Sequence, residues 1–282
     1  MAYETPATRR PLVVAQWLFG MALVSWRYLW QITPLHRSEE AGDASDLPPA
    51  PPAELLDENC QLLADGTGPL YHRTFGVRIV DNELDAAELM GAVMADMNQA
   101  LPREVARVHR TRGGGEALGL GDELVVRMPG PFNAPVRVVG CLPTSFHLLT
   151  LRGHLEAGQI EFRARPEGDG LRFEIEAWAR PGSTLVHLLY SRARLAKEMQ
   201  LNMWVRFCLH AASLARGRAH DGVRIRTRTR AVTSEVEPRP RRNPATQRPG
   251  ERSRRWAASR AARARARCFA TLRRLPQISG SQ

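Results

Sequence analysis

The chain has 282 residues, 40 basic and 29 acidic, with a formal net charge of +11. That length holds one sizeable core with appendages, in one or two domains. The charge is segregated: Arg218 to Gln282 carries 18 arginines against 4 acidic residues, whereas residues 1–217 carry 22 basic and 25 acidic ones. The body is therefore mildly acidic, and all the excess positive charge sits at the C-terminal end. Cys60, Cys141, Cys208 and Cys268 show neither a CxxC nor any zinc-ligand spacing. This excludes a disulfide-built scaffold and a cysteine zinc site, and fits inert thiols in a reducing, cytoplasmic compartment. Lys197 is the sole lysine; with abundant Ala, Gly and Pro, this bias points to a GC-rich gene.

Residues 1–37 contain an apolar run from Pro11 to Trp26, preceded by Arg9-Arg10 and followed by Arg27-Tyr28-Leu29-Trp30. The run is shorter than the roughly 20 apolar residues that cross a bilayer. On a helical wheel Gln16, Gly20, Arg27 and Gln31 share one stripe, so the segment is expected to be a helix lying on something. That support is the protein's own body, a partner, or the inner face of the cell membrane, met through Pro11 to Ile32 as a surface helix or a short anchor. The paired arginines also resemble an export signal, but no small-x-small cleavage site precedes Arg27. Residues 38–55 are polar and then Pro-rich (Pro48-Pro49-Ala50-Pro51-Pro52), which predicts an extended linker.

A globular domain is expected over residues 56–217. Its first strand is Tyr71–Val80. A helix follows, with Asp85 as N-cap, Glu88 in capping-box position and Leu84 and Leu89 as a hydrophobic staple. Its stripe continues through Val93, Met94 and Met97 to a stop at Leu101-Pro102. Six strands come next: Val105–Thr111, Glu123–Met128, Val136–Gly140, Ser145–Leu151, Gln159–Arg165 and Leu171–Trp178. In the last of these Phe173, Ile175 and Ala177 alternate with Arg172, Glu174 and Glu176, as in an antiparallel sheet with two unlike faces.

A long helix starts after Pro181-Gly182 with Ser183 as N-cap and ends near Gly217 as its C′ residue. Leu185, Leu189, Ala196, Met199, Met203, Phe207, Ala211 and Leu214 form one stripe along about 50 Å. The class is α+β: a curved antiparallel sheet gripping a long C-terminal helix, with a cavity between them. Residues 218–282 read as a disordered Arg-rich tail. It is either a binder of an anionic partner (nucleic acid or anionic lipid) by counterion release, or a neutral or frameshifted extension.

This element order resembles the START-like or helix-grip superfamily, whose members bind lipids and other apolar molecules or cyclise polyketides. The run Gly153-His154-Leu155-Glu156-Ala157-Gly158-Gln159-Ile160-Glu161-Phe162, then Ala177-Trp178-Ala179-Arg180-Pro181 and a helix containing Gln200, is similar to the family known as domain of unknown function nineteen-ninety. The resemblance spans roughly Tyr71 to Ala215. Gln159 and Ala179 stand where that pattern has an acid and a serine. No catalytic residue is implied by it.

His154 and Glu156, two apart at a turn, are the candidate catalytic pair, as general base and orienter; the plainer reading makes His154 a turn cap. Arg127, among apolar neighbours, is a candidate anion anchor. Glu161 belongs to a sheet face that collects carboxylates and arginines, and that face either lines the cavity or carries ordinary cross-strand ion pairs. Met199, Met203 and Phe207 are the expected apolar lining. Gly113-Gly114-Gly115 has no following Lys-Ser/Thr, so no nucleotide is expected, nor any cofactor or metal. The expected function is non-enzymatic binding of an apolar or amphipathic small molecule or lipid. The alternatives are a cyclase- or hydrolase-like enzyme using His154 and Glu156, and an interaction protein with a filled interior.

Overall fold

The computed structural model describes residues 34–102, 106–128, 133–182 and 194–232. Among these residues there are nine strands: β1 (Leu35–Ala41), β2 (Leu70–Val80), β3 (Arg107–Arg112), β4 (Glu123–Arg127), β5 (Asn133–Leu142), β6 (Ser145–Thr150), β7 (Glu156–Glu167), β8 (Gly170–Pro181) and β9 (Arg218–Arg230). They form one sheet in the order β1-β9-β2-β8-β7-β6-β5-β4-β3. Neighbours are antiparallel except β1 and β9, which run parallel. A short helix, Ala86–Ala95, and a long one, Arg194–Leu214, pack on it. The expected α+β class holds.

Period-two alternation creates the main core. Phe75, Val77 and Ile79 of β2, Phe173 and Ile175 of β8, Phe162 of β7 and Phe146 and Leu148 of β6 are all buried on one face, with Met203, Phe207 and Ala211 of the long helix packed into the same cluster. Phe207 seats that helix: its ring lies 5.2 Å from Phe162 and 5.9 Å from Phe173, and Trp204 meets Phe162 edge-on at 5.6 Å. Each such side chain buried contributes about 1.5–3 kcal/mol. The opposite face carries a smaller apolar cluster, in which Cys60, Val139, Leu149 and Leu151 meet Leu55, Leu56 and Leu62.

The short helix starts as its sequence predicts. The Asp85 carboxylate accepts from the Ala87 and Glu88 N–H groups at 2.8 Å, and Glu88 accepts from the Asp85 N–H at 2.8 Å. It stops at Ala95 instead of running to Leu101, because the Asp96 carboxylate accepts from the Asn98 N–H and caps a separate 3-10 turn over Met97–Gln99.

Three expectations change. Residues from Arg218 are not tail as far as Arg230: β9 inserts between β1 and β2, so the long helix is not the last element of the fold. Val223, Ile225 and Thr227 are buried there while Arg224 and Arg226 point outward, an alternation of β-branched residues that the arginine content obscures. Residues 38–55 are not a free linker. They begin within β1, turn at Asp43–Asp46, and lay Pro49 near β7, where its carbonyl accepts from Gln159 Nε2 at 3.3 Å. Arg216, not Gly217, adopts the left-handed C′ conformation, with φ 53°. Gly217 is required for another reason, since a Cβ there would lie 2.7 Å from the Val80 carbonyl oxygen.

The expected N-terminal helix up to residue 33, Ser183, and the sequence after Ala231-Val232 lie outside the described residues. Among the described residues no helix is long and apolar enough to cross a membrane.

A chain truncated after Gly217 loses Val223 and Ile225 from the core and leaves β2 unpaired on one side. It should show no cooperative thermal transition by near-UV circular dichroism, whereas truncation after Val232 should leave the transition in place. An unchanged melt for the shorter chain would show β9 to be dispensable.

Candidate functional site

The helix-facing side of the sheet is layered in rows set by register. One apolar row runs Ile225, Phe75, Ile175, Phe162, Phe146 across five strands. The next runs Thr227, Arg73, Ala177, Ile160, Leu148, and the one beyond it Thr229, Tyr71, Ala179, Gly158. On β8 and β7 the side chains shrink away from the aromatic row, to Ala179 and Gly158, while β2 carries Arg73 and Tyr71 in the same rows. Gly158 is fixed by crowding: with φ 154°, a Cβ there would stand 1.9 Å from the Trp178 carbonyl oxygen.

Arg73 is 3% exposed. Its guanidinium lies over the Tyr71 ring, 4.9 Å from the centroid, and Nη1 donates to Gln200 Oε1 at 2.7 Å. Gln200 Nε2 donates in turn to Glu156 Oε2 at 2.9 Å. Three elements, β2, the long helix and the start of β7, are thereby joined by one polar chain. Arg73 Nε and Nη2 are buried without a hydrogen-bond partner. One helical turn from Gln200, Trp204 presents an indole Nε1 that is likewise buried and unpartnered. Buried donors in folded proteins are nearly always satisfied; these three are among nine buried side-chain polar atoms without a partner in the described residues, Asn202 Oδ1 of the long helix included.

The residues singled out by sequence disperse. The His154 and Glu156 side chains do not meet: the Glu156 backbone N–H donates to His154 Nδ1 at 2.9 Å, so the histidine caps its own turn, while the carboxylate turns to Gln200. Burial holds the His154 pKa below its ordinary value, against the pull of the Glu156 charge. Met203 and Phe207 lie in the core, as the stripe predicts, although the ring contacts of Phe207 make it a packing residue first. The Met199 side chain lies outside what is described. Arg127 is exposed at the end of β4, and Glu161 contacts Arg163 at 3.4 Å. By alternation both belong to the sheet face away from the long helix, so they cannot share a chamber with Met203 and Phe207.

That second face is ionic. His72 donates or accepts at both ring nitrogens, 2.7 Å from Asp46 and 2.7 Å from Glu176, and stacks on Trp178 at 5.2 Å. Asp46, 1% exposed, is also 3.0 Å from Arg228, and Arg163 bridges Glu174 and Glu176. Burial pushes the His72 pKa down, but the hydrogen bonds to Glu176 and Asp46 outweigh it and hold it above the ordinary 6.5. Nearby His147, half-buried beside Trp178, is pushed down to about 4 by desolvation. The carboxylates and arginines of this face pair with one another and tie residues 43–46 to the sheet.

Residues 97–211 match the family model described as Domain of unknown function (DUF1990). The match covers less than half of the chain. Glu156 and Gln200 lie within the DUF1990 stretch, and Arg73 precedes it. Gln159, on the ionic face, holds Pro49, and Ala179 forms part of the low floor beside Tyr71. No curated protein matches the sequence. Among solved structures the chain is similar to the di-domain ARO/CYC StfQ from the steffimycin biosynthetic pathway, at 12% identity and TM-score 0.39, covering 55% of this chain and 52% of that one. It therefore spans about half of that protein's length. It is also similar to Ara h 8.0201, at 11% identity and TM-score 0.35, covering 50% of this chain and 99% of that one. Protein NE0264 from Nitrosomonas europaea gives 12% identity and TM-score 0.35, covering 51% and 94%.

Among the described residues no cluster of His, Cys, Asp and Glu is arranged to hold a metal ion. Cys60 and Cys208 are buried, and burial pushes both thiols up, away from reactivity.

A signal for Arg73 was present in the sequence: Tyr71, Arg73, Phe75, Val77 and Ile79 share one side of a strand, and Arg73 is the one charge among them. Nothing in the sequence placed His72 against Asp46.

The raised pKa of His72 makes its contribution to stability fully present below the unfolded value near 6.5 and lost as pH rises through the higher folded value. Asp46 and Glu176, lowered despite burial by their bonds to His72, contribute above the ordinary carboxylate range and lose that contribution as pH falls through their folded values. His72→Gln should therefore cost most, about 3 kcal/mol, in the mildly acidic window between the two. Urea unfolding of both proteins across pH should show the gap narrowing on either side. A pH-independent gap would mean that the imidazolium pairs are not what the variant removes.

Proposed function

We propose that the DUF1990 domain is a non-enzymatic binding module for an amphipathic small molecule or lipid, held between the sheet and the long helix at the Gln200 end. One observation carries this reading: Arg73 Nε and Nη2 and Trp204 Nε1 are donors buried on the helix side of the sheet with no hydrogen-bond partner. A buried guanidinium left unsatisfied costs several kcal/mol, and a chain tolerates that where another molecule completes the bonding. Ala177, Ala179 and Gly158 form a low floor next to Arg73, and Ile160 and Leu148 continue it as an apolar surface. Polar groups few in number on an apolar floor are the usual composition of a small-molecule site.

A competing reading, an interior filled by the chain's own side chains and used for interaction alone, draws support from the packed rings of Phe146, Phe162, Phe173 and Phe207. That packing occupies the level of Phe207 and leaves the donors at the Gln200 end without acceptors. The two readings part there.

Native mass spectrometry of the full chain, followed by solvent extraction, tests the proposal. A stoichiometric small-molecule mass is expected that leaves on denaturation and is reduced at least about tenfold in Arg73→Ala, since losing a buried charged hydrogen bond costs more than 1.4 kcal/mol. A retained mass in that variant would place any ligand elsewhere. A clean apo mass in the wild type, together with no uptake of added amphiphiles, would favour the filled interior.

A further inference from the structure

The geometry points to a carboxylate as the ligand's head group, taken side-on by the Nε–Nη2 edge of Arg73; this rests on the binding reading above. A guanidinium offers its donors in a rigid planar fork, and its edges are not equivalent. Nη1 is committed to Gln200 Oε1 at 2.7 Å. The two nitrogens left without partners are Nε and Nη2. They form the side of the fork whose two N–H bonds run parallel, and two parallel donors match the two oxygens of one carboxylate. A hydroxyl or an isolated carbonyl would satisfy one donor and leave the other buried and bare.

The neighbours hold that edge open. Tyr71 lies under the guanidinium plane at 4.9 Å and limits its rotation. Gln200 cannot turn its amide around at no cost, because its Nε2 donates to Glu156 while its Oε1 accepts from Arg73. Glu156 and Gln200 therefore act as positioning residues, and Arg73 is the contact. Among the described residues Arg73 forms no salt bridge, and the Glu156 carboxylate is linked to it only through Gln200. Among the described residues, the floor beside it, Ala177, Ala179 and Gly158, supplies no second cation.

Titration calorimetry on the full chain with octanoate, octanol and octylammonium at matched ionic strength isolates the head group, because the tail is constant. Octanoate should bind at least about tenfold more tightly than octanol, and octylammonium should not bind, in keeping with charge-assisted bonds being roughly twice as strong as neutral ones. Arg73→Lys keeps the charge and removes the fork, and should bring octanoate to within about threefold of octanol. The wild-type preference stands as a test even if that variant fails to fold. Equal binding of octanoate and octanol by the wild type would overturn the carboxylate assignment and leave the binding module intact. Full preference retained in a folded Arg73→Lys would overturn Arg73 as the anchor. No binding of any of the three, with no mass extracted from the native protein, would overturn the binding reading itself.

Discussion

A guanidinium buried on the apolar face of a strand is the constraint around which the helix side of this protein is arranged. Arg73 cannot reach water, and its charge must be met inside. Gln200 meets part of it, which fixes the long helix to β2 at one end, while Phe207 fixes it to β7 and β8 further along. The helix is thus held by two unlike contacts. The apolar one supplies most of the burial, and the polar one ties the helix to β2 beside Tyr71. Only the polar contact leaves bonding capacity unspent.

The two faces of the sheet divide the remaining work. Facing the helix, alternation yields rings, then small residues, then the start of β7 with Glu156. Away from it, the same strands present Arg163, Arg172, Glu174 and Glu176, which neutralise one another and, through His72 and Asp46, clamp the segment before β2. β9 serves both faces, with Val223 and Ile225 in the core and Arg228 against Asp46. Its place between β1 and β2 makes the arginine-rich stretch after the long helix part of the architecture as far as Arg230.

Much of this was legible. The capping box at Asp85 and Glu88 marked one helix start to the residue, because both partners are local in sequence. Strands β4, β6 and β8 were visible in the alternation of Leu124 and Val126, of Phe146 and Leu148, and of Phe173 and Ile175. β9 was not, since arginine on every second position reads as charge before it reads as period two. The site was half visible: Glu156 and Gln200 were marked by a family resemblance, but Glu156 was expected beside His154, and nothing in the motif gave Gln200 a partner. Arg73 pairs with a residue 127 positions away, and no local pattern announces which long-range partner leaves a donor unspent. His154 does what its plainer reading expected and bonds to the backbone of its own turn.

The central claim is that the Nε–Nη2 edge of Arg73 is an open donor pair that a bound oxyanion closes. The most direct measurement is the Nε–Hε correlation of Arg73 in a proton–nitrogen NMR spectrum, assigned by its loss in Arg73→Lys and followed as octanoate is added. The account predicts a downfield shift of that proton and slower exchange with solvent, with the Nε–Hε signals of surface arginines unmoved. An Arg73 signal that stays in place at saturating octanoate would contradict it.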